Sequence, residues 1–223
     1  SSAHGEHKIV CLTKKAMLIA ARSVNDFYQI TRKDVWLNPL PLFHVGGLSI
    51  SARCYLSGAQ NLSLSRWDVN DFYSLLENEK VTVVSLVPTQ VYDLLQAGLQ
   101  APPTLRLVML GGGAISPDLY SRARQAGWPL LPSYGMTESC AVIASAELAS
   151  LKSLQFPQMK ILSHVDLYQE EDKTFIDSES LFKGYLFVSK DNVTWQQRTG
   201  AFLLDDLIDL SGDTVNVLGR TSE

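Results

Sequence analysis

The sequence predicts an α/β fold, a sheet connected by crossover helices and followed by a small antiparallel β subdomain. Three observations carry that expectation. From Lys14 to about residue 150, apolar runs of helical period alternate with β-rich runs, as in a parallel sheet with helices packed on its faces. Helix boundary residues stand where this alternation needs them, most clearly Ser116, Pro117 and Gly127 around "SPDLYSRARQAG". After Leu151 the texture changes to short extended runs between charged or glycine-containing turns, the pattern of antiparallel strands. The division is placed at an α/β part, 1–150, that carries the ligand site, and a β-rich part, 151–223.

The elements follow in order. "KKAMLIAARSVNDFY", Lys14 to Tyr28, has helical apolar spacing, and "KDVWLNPLPLF" turns extended and proline-interrupted. "GGLSISARCYLSGA" predicts a short helix ending near Gly58, and "QNLSLS" a brief strand. In "WDVNDFYSLLENEK" Asp68 is the expected N-cap, with Phe72, Leu75 and Leu76 on one face. "VTVVSLVP" is a continuous β-rich run of the kind buried in a parallel sheet, and "TQVYDLLQAGL" is the next helix. "TLRLVMLGGG" is a strand running into a glycine turn, and "SPDLYSRARQAG" is a helix with Ser116 at N-cap, Pro117 at its first position and Gly127 beyond its end. Four extended runs close the chain: "MKILSHVDLY", "TFIDSESLFKGYLFVSK", "VTWQQRTGAFLLDDLIDL" and "TVNVLGR".

Composition narrows the function. With 223 residues, 46% hydrophobic and 19% charged, the chain can bury one large core or two modest ones. A net charge of -4 argues against a nucleic-acid or anionic-membrane surface and leaves room for a local basic pocket. A small-molecule partner is expected. Cys11, Cys54 and Cys140 are odd in number and lack disulfide or zinc spacing, so buried thiols in a reducing cytoplasm are expected. No apolar run approaches the roughly 18 residues of a membrane span. The sequence leaves the oligomeric state open, a homo-oligomer included.

Two stretches are suited to a nucleotide. Gly111, Gly112 and Gly113 follow an apolar strand and permit a close backbone approach, with N–H groups at the next helix N-terminus; a plain tight connection is the alternative. "LLPSYGMTES" places Ser133, an aromatic, a glycine, a hydroxyl and a carboxylate nearly in succession. There Tyr134 is suited to stacking a planar base, Gly135 to leaving that face clear, Thr137 to a phosphate oxygen and Glu138 to magnesium; a polar loop with a capping threonine is the alternative. At the start, "SSAHGEHK" is either a terminal tail or a small-residue loop ending in a phosphate-binding lysine, Lys8.

Taken together, "PLFHVGG", "LGGGAIS" and Tyr134-Gly135-Met136-Thr137-Glu138 resemble the motifs of the adenylate-forming superfamily of acyl-CoA synthetases, luciferases and adenylation domains. Within it, "LPLFHVGGLSISARCYLSGA", "SLVPTQVYDLL" and "LGGGAISPDLYSRARQAG" look like the o-succinylbenzoate-CoA ligase family of menaquinone biosynthesis, over nearly the whole chain.

The resemblance implies ATP-dependent formation of an acyl-adenylate, then its transfer to CoA, with ATP, Mg²⁺ and CoA as the small molecules involved. It assigns Arg53 to a substrate carboxylate and His44 to the substrate side. Lys8 and Thr137 fall to phosphate oxygens and Glu138 to Mg²⁺. Ser1, Gly5, Ser133, Gly135, Tyr134 and Gly111 to Gly113 go to the nucleotide, and Asp206 and Arg220 to ribose. Departures are implied too. Ala3, His4 and His7 stand at positions of the phosphate loop where Ser/Thr, Thr and Pro are usual, and Leu204 and Asp205 where Thr and Gly are usual. Each lost charge-assisted hydrogen bond removes about 1.5–3 kcal/mol from phosphate binding. A catalytically impaired nucleotide- or acyl-binding relative and a generic aryl- or acyl-CoA ligase are the alternatives. The family's C-terminal lid domain has no counterpart before Glu223, so the resemblance implies a fragment of the large N-terminal domain.

Overall fold

A computed structural model describes residues 7–171 and 173–220. Its first elements are β1 (His7–Cys11), α1 (Lys14–Tyr28), β2 (Val35–Asn38), α2 (Val45–Ser57), β3 (Gln60–Ser63), α3 (Val69–Asn78), β4 (Val83–Leu86), α4 (Pro88–Gln96), β5 (Leu107–Leu110) and α5 (Pro117–Gln125). Next come β6 (Leu130–Met136), β7 (Ala141–Ser145), β8 (Met159–Ile161), β9 (Asp166–Glu170) and β10 (Lys173–Asp177). The last are β11 (Gly184–Val188), β12 (Val193–Gln197), β13 (Phe202–Leu203), β14 (Asp206–Ser211) and β15 (Thr214–Arg220).

Local chemistry accounts for the helix ends. The Asp68 carboxylate accepts the N–H groups of Asn70 and Asp71 at the start of α3, and Ser116 Oγ accepts that of Leu119 above Pro117 in α5. Thr13 does the same for α1 through the Ala16 N–H. Gly58 closes α2 in the left-handed region, at φ 73°, a conformation that costs glycine nothing.

Nine strands form one mixed sheet in the order β14-β15-β8-β7-β6-β5-β4-β2-β3. Strands β3, β2, β4, β5 and β6 run parallel. From β6 through β7, β8, β15 and β14 every pairing is antiparallel. Two three-stranded antiparallel sheets, β1-β11-β12 and β13-β10-β9, complete the molecule. The large sheet therefore runs through residue 150, since β8, β14 and β15 extend the sheet that β2 to β7 build.

Two expectations change here. Lys8 stands on a strand: β1 pairs antiparallel with β11, Lys8 opposite Phe187. A run of "IVC" beside a polar loop supplies one strand edge, and only the distant β11 supplies its partner. The long extended runs also divide, because "MKILSHVDLY" becomes β8 and β9 on different sheets, joined by a turn in which Val165 N–H donates to Leu162 O.

Side-chain alternation places the core. Leu37, Val84, Leu86, Val108, Leu110 and Leu130 pack with Phe72, Leu76, Leu94 and Tyr120 on one face of the parallel half. Trp36, Val83, Leu107, Met109 and Leu131 pack with Val24, Tyr28 and Ile50 on the other. Adjacent strand residues face opposite layers, the two-residue period of a strand buried on both sides. Cys54 and Cys140 are buried and Cys11 is half-buried, all three as free thiols. No helix among the described residues is long and apolar enough to cross a membrane.

The amino end of the parallel half is tied by Asp34. Its carboxylate accepts both Nε and Nη2 of Arg106 at 2.8 and 2.9 Å, the Thr82 hydroxyl and the Thr31 N–H. Burial pushes the Asp34 carboxyl up, but these donors, Arg106 first, outweigh it and hold the group below its ordinary value of 3.8. A lowered folded-state value contributes stability that is full above 3.8 and is lost as pH falls through the lowered value. Asp34→Asn is expected to destabilise the intact protein by about 3 kcal/mol, at the low end for breaking a buried pair because Arg106 is partly exposed. Chemical unfolding between pH 3 and 7 checks both points: the acid-side loss of stability should be shallower in the variant.

Candidate active site

The parallel strands deliver the expected residues at their carboxyl ends. His44 follows β2, the glycine turn follows β5, and Ser133 to Glu138 occupy the end of β6 and the turn beyond it. In open α/β sheets ligands bind at this edge, and β6 is the seam where the parallel half meets the antiparallel one.

The glycine turn lies against Ser133. A Cβ on Gly111 would come within 2.9 Å of Ser133 Oγ, and Gly112 has φ 75°. Ser133 Oγ donates to Leu110 O at 2.9 Å, so that hydroxyl hydrogen is spent inside the fold. One of the N–H groups expected to be free at the following helix, that of Leu119, is likewise taken by Ser116 Oγ.

Tyr134, Asp206 and Arg220 come together although 72 residues separate the first two. The Tyr134 hydroxyl donates to Asp206 Oδ2 at 2.6 Å, and Arg220 Nε stands 3.5 Å from Oδ1. Asp206 and Arg220 face each other across β14 and β15. Burial, and then the bond to Asp206, pushes the Tyr134 phenol well above its usual range, which keeps it a neutral donor. An acidic side chain thus bears on two groups along one edge of the site.

Thr137 is exposed and Glu138 half-buried on a single 3₁₀ turn, Thr137–Ser139. The turn is braced from behind: Ser139 Oγ donates to Met136 O at 3.1 Å, and Cys140 and Ala141 take positive φ values of 60° and 99°. Glu138 Oε1 accepts the Tyr185 hydroxyl at 2.9 Å and stands 3.9 Å from Lys8 Nζ. Among the described residues no group of three or more His, Cys, Asp or Glu could hold a metal ion alone. Glu138 nonetheless fits Mg²⁺, a hard cation that takes one or two carboxylates and fills its remaining positions with waters and phosphate oxygens.

Of the two residues expected on the acid side, His44 stands at the start of α2 and Arg53 lies within that helix. His44 is its exposed N-cap, makes no capping bond, and lies against Phe43 with ring centres 4.5 Å apart. Arg53 is 2% exposed. Its Nη1 is 3.4 Å from Met109 Sδ, its guanidinium is 5.5 Å from the Trp36 ring centre, and its Nε has no partner. Burial lowers the guanidinium to about 10, still charged at neutral pH. Met109 is two residues before Gly111, so the cation lies beside the strand that carries the glycine turn. Burial, and then the Arg53 charge, holds the nearby His164 down to about 4.

The structure thus gathers Lys8 with Glu138, Tyr134 with Asp206 and Arg220, and Gly111 with Ser133, all linked through β6 and its turn. Ser1 and Gly5 lie outside the described residues. Sequence reasoning missed Tyr185, which stands in a run, "LFKGYLFVSK", that reads only as a strand. Its one local signal is a hydroxyl within β11, Gly184–Val188, a strand otherwise without polar side chains.

Residues 1–194 match the family described as AMP-binding enzyme. A 2-succinylbenzoate–CoA ligase of Enterococcus faecalis is 33% identical over 201 residues, covering 85% of this chain and 40% of that protein. Two solved structures of o-succinylbenzoate coenzyme A synthetase from Bacillus subtilis superpose closely. The complex with ATP and magnesium ion has TM-score 0.82 and 26% identity, covering 96% of this chain and 47% of that one. The complex with the acyl-adenylate intermediate has TM-score 0.81 and 26% identity, covering 95% and 58%. The chain spans about two fifths of the length of the curated relative.

Proposed function

The chain belongs to the family of AMP-binding enzymes, and on that premise we propose that its protein is an ATP-dependent acid–thiol ligase acting on o-succinylbenzoate in menaquinone synthesis. The single observation that carries the acid is Arg53, a buried guanidinium with an unpartnered Nε beside the strand leading to the glycine turn. A dicarboxylate has a second anion for that cation; benzoate and fatty acids do not. The similarity to o-succinylbenzoate coenzyme A synthetases supports the same reading.

The substrate carboxylate is ionised at neutral pH, so the first step needs no general base. One carboxylate oxygen attacks the α-phosphorus of ATP, the bond to pyrophosphate breaks, and an acyl-adenylate forms. The CoA thiol, losing its proton to solvent, then attacks the acyl carbon, and AMP leaves with the bonding pair of the broken acyl–oxygen bond. Catalysis must come from positioning and from charge neutralisation. Lys8 and Thr137 serve the phosphates, and Glu138 would hold Mg²⁺, which when bound would supply charge neutralisation on the phosphate oxygens. Tyr134 and Gly111 to Gly113 border the base, with Ser133 and Gly135 shaping that wall. Asp206 and Arg220 serve the ribose, and His44 lies on the acid side.

Pyrophosphate exchange into ATP tests this in the intact protein. Exchange is expected with o-succinylbenzoate, and at least about tenfold less with benzoate, for want of the charge-assisted contact to Arg53. Equal exchange with benzoate would point to a generic aryl-CoA ligase. Retained acid binding without any exchange would point to an impaired relative with a weakened phosphate loop.

A further inference from the structure

Tyr185 touches both the lysine assigned to the phosphates and the carboxylate assigned to Mg²⁺. Its hydroxyl donates to Glu138 Oε1 at 2.9 Å, and the face of its ring carries the Lys8 ammonium 3.9 Å from the centroid. Lys8 and Glu138 themselves stand 3.9 Å apart, beyond hydrogen-bond distance. We propose that Tyr185 is a positioning residue of the nucleotide site, orienting Glu138 with its hydroxyl and Lys8 with its ring; this rests on the roles given above to those two residues.

The backbone shows why one side chain reaches both. In the β1–β11 pair Lys8 faces Phe187 and Val10 faces Tyr185, so Lys8 and Tyr185 are diagonal neighbours on one face, within reach of long side chains. From the other side, Phe182 N–H donates to Glu138 O at 2.8 Å, and Arg198 Nε holds Phe182 O at 2.9 Å. Lys183 N–H donates to Cys11 O at 2.8 Å. The segment 182–185 is therefore bonded both to the strand that bears Lys8 and to the turn that bears Glu138. Phe182 packs its ring on Tyr185 at 4.6 Å and on Phe202 at 5.1 Å, which fixes the tyrosine ring.

The arrangement has a chemical consequence. A lysine on a flexible stem beside a carboxylate would otherwise close into a direct ion pair, and each charge would then be withdrawn from its ligand. With the ammonium on the ring and the carboxylate on the hydroxyl, the two stand 3.9 Å apart, a long ion pair that has not closed into a direct hydrogen bond. Among the described residues Glu138 Oε2 has no hydrogen-bond donor, and it is the oxygen left for a cation.

The hydroxyl and the ring can be removed separately. Tyr185→Phe keeps the ring, and Tyr185→Leu removes both. Calorimetric titration of the intact protein would measure ATP with Mg²⁺, ATP with EDTA, and AMP. For Tyr185→Phe the dissociation constant of Mg²⁺-ATP should rise about tenfold, from loss of one charge-assisted hydrogen bond, while metal-free ATP and AMP stay within about twofold. For Tyr185→Leu metal-free ATP should weaken as well. Unchanged Mg²⁺-ATP binding in Tyr185→Phe would overturn the proposal, as would an equal loss for AMP, the mark of a merely structural role. If Tyr185→Leu does not fold, Tyr185→Phe carries the test alone. A parent protein that binds no Mg²⁺-ATP would overturn the phosphate-site reading and this proposal together, whereas a binding parent with an unaffected variant overturns only the role of Tyr185.

Discussion

An Arg53→Met variant is expected to be at least as stable as the parent and to bind o-succinylbenzoate roughly 10- to 100-fold more weakly. On the proposed function the two signs differ, because the guanidinium would meet its anion in the ligand, whereas within the fold it meets only Met109 Sδ and the Trp36 ring. Arg53 is almost wholly buried, forms no ion pair with any carboxylate among the described residues, and leaves its Nε unsatisfied. Its one side-chain hydrogen bond is to a methionine sulfur, a weak acceptor. Taking a charge out of water without an anion to receive it is costly. Methionine fills similar length without that cost, so the change is expected to be neutral or stabilising by about 1–3 kcal/mol. Benzoate affinity should stay within about threefold, since benzoate forms no charge-assisted bond to the lost group. Thermal unfolding and acid titration in the intact protein check both halves. A large fall in melting temperature with unchanged dicarboxylate affinity would make Arg53 a structural arginine.

Gly135→Ala should be the most damaging single-methyl change in the site. A Cβ at this position would lie 1.6 Å from Ala141 O and 2.5 Å from Ala141 C, and both obstacles are backbone. Relief by rotating a side chain is impossible; β6 and β7 would have to separate. They meet here at a register shift between Tyr134 and Gly135, just before the left-handed residues Cys140 and Ala141. Moving that bulge displaces Tyr134 on one side and the Thr137–Glu138 turn on the other. We expect a loss of more than about 4 kcal/mol, beyond ordinary overpacking, with nucleotide binding lost in whatever protein folds. A variant with parental unfolding and ATP affinity would refute this account of the turn.

Local chemistry made much of the fold legible. Capping by Asp68 and Ser116, and the closing turns at Gly58 and Gly127, are signals carried by a few neighbouring residues, and α2, α3 and α5 appear where those residues stand. The apolar runs of β4 and β5 likewise announced strands buried on both faces. What stayed hidden is non-local. The pairing of β1 with β11 joins segments more than 170 residues apart, and nothing near "IVC" names its partner. For the same reason the sequence alone places Lys8 on a loop and gives no role to Tyr185.

The candidate site divides in the same way. The residue types at Tyr134, Thr137, Glu138 and Asp206 are set by the sequence, and they are the types that phosphates, magnesium and ribose would need under the proposed function. Whether each would be free was decided by tertiary contact: the Tyr134 hydroxyl is taken by Asp206, Glu138 Oε1 by Tyr185, and Ser133 Oγ by Leu110 O. By itself the sequence determined the helices, the buried strands and the inventory of groups along β6 and its turn. Only the packed structure decided which groups meet, that the sheet turns from parallel to antiparallel at β6, and that Arg53 is a buried cation whose Nε has no partner among the described residues. The reason is physical: caps and strand periods depend on neighbours a few residues away, whereas desolvation and ion pairing depend on whatever the fold brings within a few ångströms.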